Sequence, residues 1–149
     1  MKQGAPARRR LLKGIAVAAS WLVGSTGVAS AQTADRDRAR ARRWIDAAFD
    51  MRRRALSWGD QPYGAVLVLE DRLAGEGPSR VVKNRDPDAH AEREAIRDAQ
   101  RRLGRASLAG SVLYSTSRPC SICERVAFEA GVARMIHGED AQDAGAPRG

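Results

Sequence analysis

The sequence predicts an α/β fold in which helices alternate with the strands of one mixed sheet. Short apolar runs bounded by turn residues recur at residues 64–69, 112–114 and 132–136, and runs of this length are typical of buried strands. Between them lie segments whose apolar residues recur at helical spacing. The length of 149 residues, of which 43% are hydrophobic and 30% charged, allows one globular domain with a small core.

The first predicted elements are a helix and a hairpin. A helix is expected over residues 36–58, where apolar side chains recur at helical spacing up to the turn-forming residues 59–62. Residues 64–69 and, more weakly, residues 73–77 are expected to be strands on either side of a turn. We expect these two strands to pair with each other.

A loop and a second helix follow. Residues 78–89 are rich in Pro, Asn and Asp, which is typical of a loop. The second helix is expected to begin near Asp86, where a proline and two aspartates suit a first turn, and to end at Gly104.

The last predicted elements are a strand at residues 112–114, a helix at 119–130 and a strand at 132–136. Because helices separate these later strands, we expect parallel pairing with right-handed crossovers, and a sheet of four strands in all. The predicted domain covers residues 36–138. Residues 139–149 are rich in Gly, Asp, Ala and Pro and are expected to form a flexible tail.

The first 31 residues have the layout of a secretory signal. They contain five cations and no acid, then an apolar stretch over residues 14–29, and they end in Ala29-Ser30-Ala31, an A-x-A cleavage site. The run RRRLLK at residues 8–13 closely resembles the twin-arginine signal. We expect residues 1–31 to be a twin-arginine signal peptide, with the bacterial export machinery as a partner and a periplasmic location. A basic arm or a membrane anchor are the alternatives.

The net charge of +8 first indicates nucleic acid or an anionic surface as a partner. Five of the cations lie in residues 1–31, so the chain without that segment carries only +3. Its arginines alternate with acids, which favours a solvated helix face over a nucleic-acid groove. The two cysteines are too few for a disulfide scaffold, and no apolar run reaches the roughly 20 residues of a membrane span.

Two segments place chemically active side chains where helices are expected to begin. His90 and Glu92 lie in one, and Cys120 and Cys123 in the other. Two cysteines three residues apart point to one side of a first helical turn, and the helix dipole favours their thiolates. One imidazole and two thiolates suit tetrahedral zinc with a fourth position left for water. Glu92, two residues beyond His90, could then move a proton without binding the metal.

At these residues the sequence resembles the zinc-dependent cytidine and deoxycytidylate deaminase superfamily, whose signature combines H-x-E with P-C-x-x-C. The run PYGAV at residues 62–66 is similar to the first-strand motif of that family, and LYST at 113–116 to the strand before its cysteine loop. The resemblance covers about residues 40–138 and is nearest to the branch that deaminates nucleobases, nucleosides and tRNA adenosine.

The resemblance implies a three-layer α/β/α cytidine-deaminase-like fold and a zinc ion as cofactor. It implies that the zinc ligands are His90, Cys120 and Cys123. It makes Glu92 the general acid and base of catalysis, and it places the backbone of Gly64 and Ala65 near the substrate.

The sequence also departs from the family pattern. In the stretch that grips the substrate, the usual asparagine before Arg-Val is Ser79, which we take as the corresponding substrate-binding residue. The usual acid before the cysteine-loop proline is Arg118, and the common second proline is Ser121. Relatives add further elements after the fourth strand, so we expect either an open sheet edge here, which a second copy of the chain could cover, or a shortened and impaired enzyme.

The expected reaction is the hydrolytic deamination of a free nucleobase or nucleoside, of guanine, cytosine, adenosine or cytidine type, with release of ammonia and without a stable nucleic-acid complex. A relative of the tRNA-adenosine deaminases is the alternative if the export signal is not used. The cysteine pair leaves two further alternatives open, a CxxC redox protein and a zinc-binding module without turnover. His137 is a rival fourth ligand for the metal.

Overall fold

The computed structural model describes Met1 and residues 26–149, with side-chain environments from Ser30 onward. The expected signal segment therefore lies mostly outside the described residues. In the described part the elements are α1 (Thr26–Ser57), β1 (Gly64–Leu69), β2 (Arg72–Pro78), α2 (Val81–Asn84), α3 (Ala91–Leu103), β3 (Val112–Ser115), α4 (Ser121–Glu129), β4 (Arg134–His137) and β5 (Gln142–Gly145). Within that part, no helix has the length and apolar character needed to cross a membrane.

The strands form one mixed sheet in the order β2-β1-β3-β4-β5. β1 pairs antiparallel with β2, which confirms the hairpin, and also antiparallel with β3. β3 and β4 are parallel, whereas β4 and β5 are antiparallel. α3 connects β2 to β3 across β1, and α4 connects β3 to β4, as expected for crossover helices. The predicted α/β fold is thus confirmed, with five strands in place of four.

The fifth strand lies in the segment that was expected to fray. β5 pairs with β4, with Gln142 opposite His137, and Asp143 forms an ion pair with Arg134 across the two strands. The side chains of residues 142–144 are exposed, so this strand carries no apolar pattern that a sequence could show. The expectation of a flexible tail is therefore wrong for β5, and the edge of β4 that was expected to be open is covered by the chain itself.

Helices cover both faces of the sheet. Val66 and Val68 of β1 pack with Trp44 in the cluster beneath α1. Ala65 and Leu67, which alternate with them, belong to the cluster formed with α3 and α4. This gives the expected three layers, and it fixes α3 and α4 side by side on one face.

α3 lies close to β2 because both surfaces carry small residues. Gly75 and Gly77 of β2 face Ala91, Ala95 and Ala99 of α3. A Cβ atom added at Gly77 would lie 2.0 Å from the carbonyl oxygen of Ala91, and one added at Gly75 would lie 2.2 Å from that of Ala95. No side chain fits in either place, so the two glycines allow the helix to pack directly on the strand.

We expect Gly77→Ala to lower the free energy of unfolding by about 3 kcal/mol, because the new methyl group would push the first turn of α3 off the sheet. Urea unfolding at neutral pH measures this. Arg72→Ala is the matched control, since Arg72 is an exposed residue of the same strand. Its effect is expected to stay within about 0.5 kcal/mol. Equal stabilities of the two variants would contradict the packing described above.

Candidate metal centre and active site

The helix that carries His90 begins later than expected. Residues 86–89 form a turn, in which Ala89 N donates to the Asp86 carbonyl oxygen at 3.0 Å and Asp88 N donates to Asp86 Oδ1 at 2.8 Å. α3 therefore starts at Ala91, and the expected start near Asp86 is wrong. His90 is the N-cap residue of α3, in an extended conformation with φ −62° and ψ 151°.

Cys120 holds the same position in α4. It is the N-cap residue, with φ −71° and ψ 165°, and its Sγ accepts a hydrogen bond from Cys123 N at 3.4 Å. The N-terminal ends of α3 and α4 thus meet at one place, with His90 at one and the two cysteines at the other. Because the N-terminus of a helix favours negative charge, this is a suitable place for thiolates.

The donor atoms of the three residues form one compact group. His90 Nδ1 lies 3.4 Å from Cys123 Sγ and 3.8 Å from Cys120 Sγ. All three donor atoms lie within 4.8 Å of one another. Tetrahedral zinc, with bonds of about 2.0 Å to nitrogen and 2.3 Å to sulfur, requires ligand atoms roughly 3.5 to 3.8 Å apart. The donor set and its spacing therefore fit one zinc ion.

Burial distinguishes the members of the group. Cys123 is fully buried, His90 is half-buried, and Cys120 is exposed. Burial raises the pKa of the Cys123 thiol, and the charge of Glu92 acts in the same direction. A thiolate at this position thus needs a compensating positive charge, which a coordinated cation provides.

His137 does not belong to this group. In the part of the chain that the structure describes, the residues that could together hold a metal are His90, Cys120 and Cys123. His137 ends β4, opposite Ser115 of β3. Burial lowers the pKa of His137, with a smaller contribution from Arg118. The geometry gives no support to His137 as a fourth ligand.

Glu92 is the second residue of α3 and is 6% exposed. Burial raises the pKa of its carboxyl group, and this effect exceeds the opposing effects of a hydrogen bond to its own backbone, the charge of His90 and a hydrogen bond with Cys123. A buried carboxyl group whose pKa is raised in this way is suited to take up and release a proton. The structure places this group next to the three candidate ligands.

An open cavity of ≈ 290 Å³ adjoins these residues. Two loops complete its wall, one before β1 and one between β3 and α4. The lining residues are Gln61, Tyr63, His90, Ala91, Glu92, Ser117, Arg118 and Cys120. The sequence analysis did not single out Gln61, Tyr63 or Ser117. Tyr63 lies inside the PYGAV run, but nothing in the sequence distinguishes the other two from ordinary loop residues.

Gly64 and Ala65 are buried at the start of β1, next to Tyr63. Gly64 N donates to Thr116 Oγ1 at 3.2 Å, and Thr116 N donates to the Gly64 carbonyl oxygen at 2.9 Å. These bonds join β1 to the loop that leads to Cys120. Neither residue is part of the cavity lining, so their contact with a substrate stays a prediction.

Ser79 is fully buried, and its hydroxyl group has a partner inside the protein. Its Oγ donates to Asp60 Oδ1 at 2.9 Å, and its backbone N donates to the Tyr63 carbonyl oxygen at 3.1 Å. Ser79 therefore supports the loop that carries Gln61 and Tyr63, and it does not itself line the cavity. Its role in binding a substrate also stays a prediction.

Asp60 accepts the hydrogen bonds that hold the loop before β1 in place. Besides Ser79 Oγ, its carboxylate accepts hydrogen bonds from Gln61 N and Lys83 N, each at 2.8 Å. Burial acts to raise the pKa of Asp60, but the hydrogen bonds from Lys83, Gln61, Ser79 and Val82 together outweigh it, and the net direction is downward. The loop before β1 is thus tied to the start of α2 by one buried charge.

We expect Asp60→Asn to lower the free energy of unfolding at pH 7 by about 2 kcal/mol, because an amide replaces one of two accepting oxygens with a donor. The folded-state pKa of Asp60 lies below its unfolded value, so its contribution is present above the unfolded pKa of about 3.9 and is lost as the pH falls through the folded pKa. The difference in free energy of unfolding between the variant and the wild type should therefore become smaller as the pH falls. Urea unfolding at pH 7 and at about pH 3 measures it. Asp46→Asn, on the exposed face of α1, is the control, and equal deficits for both variants would contradict this role.

A model of the cytidine and deoxycytidylate deaminase zinc-binding region matches residues 38–139. Over 100 residues the chain is 31% identical to the tRNA-specific adenosine deaminase of Buchnera aphidicola, and the match covers 67% of this chain and 66% of that protein. Over 83 residues it is 35% identical to the guanine deaminase of Bacillus subtilis, with 56% and 53% covered. The chain thus spans about half to two thirds of the length of these curated relatives.

Solved structures give the same result. A structure from a study of A-to-I editing by tRNA:A34 deaminases at the wobble position of transfer RNA matches with a TM-score of 0.62 at 34% identity, covering 64% of this chain and 70% of that one. The X-ray structure of guanine deaminase from Bacillus subtilis matches with a TM-score of 0.61 at 30% identity, covering 64% and 61%. The fold therefore has counterparts among solved proteins.

Proposed function

The chain belongs to the cytidine and deoxycytidylate deaminase zinc-binding family, and from this premise we propose that it catalyses the zinc-dependent hydrolytic deamination of a free nucleobase or nucleoside. One observation carries the proposal. The buried carboxyl group of Glu92 lies beside a His-Cys-Cys group that fits zinc, and Glu92, His90 and Cys120 line one open cavity.

Three residues would bind the metal, and a fourth would transfer protons. His90, Cys120 and Cys123 would hold the zinc ion, which when bound supplies a Lewis acid that makes water a nucleophile near neutral pH. Glu92 takes the proton from the attacking water and delivers it to the amino group that leaves as ammonia. Its raised pKa suits both transfers, since the group must accept a proton and then release it.

The size and lining of the cavity support a small substrate. A volume of ≈ 290 Å³ lies just below the range for ligand pockets, which starts at about 300 Å³, and suits a purine or pyrimidine ring. Tyr63 offers an aromatic ring, and Gln61 and Ser117 offer an amide and a hydroxyl group for the polar edge of a base. A sugar attached to the base would extend through the open side of the cavity.

Deamination of adenosine in tRNA is the second candidate. It is favoured by the relatives that are tRNA-specific adenosine deaminases, such as those of Buchnera aphidicola and Haemophilus influenzae, which match this chain at 31% and 33% identity. In this case the cavity would take one base of the RNA, extruded from its neighbours, and the remaining nucleotides would lie outside it.

Ammonia release from a defined panel tests the proposal. The zinc-loaded protein is incubated with guanine, cytosine, adenosine, cytidine and an RNA stem-loop that presents an unpaired adenosine. Release from one of the four small molecules is the expected result, and release from the RNA alone would select the second candidate. No release from any of them by protein that retains zinc would overturn the deaminase assignment. Glu129→Gln, an exposed change on α4, serves as the control variant and should match the wild type.

We also propose that residues 1–31 are removed after export by the twin-arginine route. In support, the side chains of residues 30–40 are exposed, and the packed part of α1 begins only around Ala41 and Trp44. Removal of the segment would thus take no described side chain out of the core. N-terminal sequencing of protein recovered from a bacterial periplasm should begin at Gln32. Recovery of the intact chain from the cytoplasm alone would contradict the export proposal and favour the RNA substrate.

A further inference from the structure

One charged residue of the cavity wall has no part in the chemistry proposed above. Arg118 lies in the loop between β3 and α4, two residues before Cys120, and its side chain is exposed. Among the residues that the structure describes, none forms an ion pair or a hydrogen bond with its guanidinium group. In the family pattern an acid precedes the cysteine-loop proline, so the charge at this position is reversed.

Other arginines around the site are paired with carboxylates. Arg93, next to Glu92, forms an ion pair with Asp88. Arg148 forms one with Glu124 of α4 at 2.9 Å, so this acid already has a cationic partner. The cavity wall itself contains one carboxylate, Glu92, which is buried. Arg118 acts on Glu124 only through its charge, and the cavity wall offers it no exposed carboxylate.

The chemistry of a free guanidinium group indicates what it would bind. A guanidinium group forms two parallel charge-assisted hydrogen bonds with a phosphate or carboxylate. These hydrogen bonds are stronger than those that it forms with neutral groups. The amide and amine edges of a base are neutral and gain little from a cation. An anionic partner would therefore come from another part of the substrate, and a phosphate on the sugar that would extend through the open side of the cavity is such a group.

We propose that Arg118 is a specificity-determining residue that binds a phosphate group on the sugar of the target base, so that the site prefers a nucleoside monophosphate to the nucleoside or the free base. This inference rests on the proposed deaminase function and narrows its substrate class. The same contact could be made by a phosphodiester of a short oligonucleotide, which has the same chemistry, and the test separates these two sources.

The test compares each nucleoside of the panel with its 5′-monophosphate and with a trinucleotide that carries the same base. For wild-type protein we expect kcat/KM for the monophosphate to exceed that for the nucleoside by about tenfold or more. Arg118→Gln should bring this ratio close to one, Arg118→Lys should restore part of it, and Arg118→Glu should reverse it. Arg125→Gln removes an exposed arginine of α4 that lies outside the cavity and should leave the ratio unchanged.

Calorimetric binding of the monophosphates to the zinc-loaded Glu92→Gln protein gives a readout without turnover. Arg118→Gln in that background should weaken binding of the monophosphate about tenfold and leave binding of the nucleoside unchanged. A wild-type ratio of one, or an equal loss for both substrates in Arg118→Gln, would overturn the inference and leave the deaminase assignment intact. A preference for the trinucleotide over the monophosphate would overturn the monophosphate assignment in favour of a phosphodiester. Absence of all ammonia release would instead contradict the proposed function, and the binding measurement would still decide the role of Arg118.

Discussion

Glu92→Gln should retain zinc and lose deaminase activity by roughly a thousandfold, within the range that a positioned general acid and base contributes. The side chain keeps its volume and its buried position at the second residue of α3, so the fold and the ligand group should not change. Glutamine can neither take a proton from water nor return one to the leaving amino group. The turnover rate measured at saturating substrate reports this loss.

Two controls accompany this variant. Zinc content per chain, measured by elemental analysis, should equal that of the wild type, because Glu92 is not one of the three ligands. Glu94→Gln changes a second buried glutamate of the same helix that pairs with Arg80 and Arg97 instead of facing the site. It should lose stability while keeping most of its activity. Equal activity of Glu92→Gln and wild-type protein would exclude Glu92 as the proton-transfer group.

Cys123→Ser should abolish stoichiometric zinc binding and, with it, the activity. The serine oxygen is smaller, harder and far less acidic than the thiol, and it takes the place of a fully buried ligand atom that lies 3.4 Å from His90 Nδ1. We expect zinc affinity to fall by at least about a hundredfold, measured by competition with a chromophoric chelator. The same variant should lose the stabilisation that zinc gives the wild type, because bound metal joins the ends of α3 and α4.

Ser121→Ala, at the first position of α4 and exposed, is the matched control for the cysteine change. It should bind one zinc per chain with unchanged affinity. A Cys123→Ser protein that still binds one zinc as tightly as the wild type would show that the metal is held elsewhere. Freshly purified wild-type protein that lacks zinc and has a disulfide between the two cysteines would instead favour the CxxC redox alternative.

The elements that bury apolar side chains could be predicted from the sequence. β1 and β3 are short apolar runs, and α1, α3 and α4 show helical spacing, so each element was identified from its pattern. The expected start of α1 at residue 36 is wrong, because the helix begins at Thr26, and the exposed side chains of residues 30–40 give no apolar spacing that would show it. The candidate ligand group could also be predicted, because His90, Cys120 and Cys123 occur at a characteristic spacing, the first two as N-cap residues and the third in the first turn of a helix. These features are local, and local patterns are what a sequence displays.

The features that were missed depend on contacts between distant segments. β5 is held by backbone pairing with β4 and by an ion pair, and its own side chains are exposed. The late start of α3 follows from a turn that Asp86 makes with Ala89 and Asp88. The residues of β5 and those of the turn before α3 are each compatible with other local structures. Their sequence alone therefore does not predict a strand at the first place or a turn at the second.

Ser79 shows the same limit within the site. Family resemblance places it where relatives have an amide that grips the substrate, yet its hydroxyl group donates to Asp60, a residue 19 positions earlier. Nothing in the spacing of these two residues indicates that they meet. The cavity residues Gln61 and Ser117 were missed for a related reason, since they reach the site only because two loops are brought together by β1 and β3.

Stepwise addition of zinc to the metal-free protein, with ammonia release measured at each step, tests the central claim most directly. The substrate is the one that the panel identifies, and total protein is held well above the dissociation constant for zinc. If His90, Cys120 and Cys123 form one catalytic zinc site, activity should be absent at the start, rise linearly and reach its plateau at one zinc per chain. Full activity before any zinc is added, or a plateau that requires a second equivalent, would contradict it.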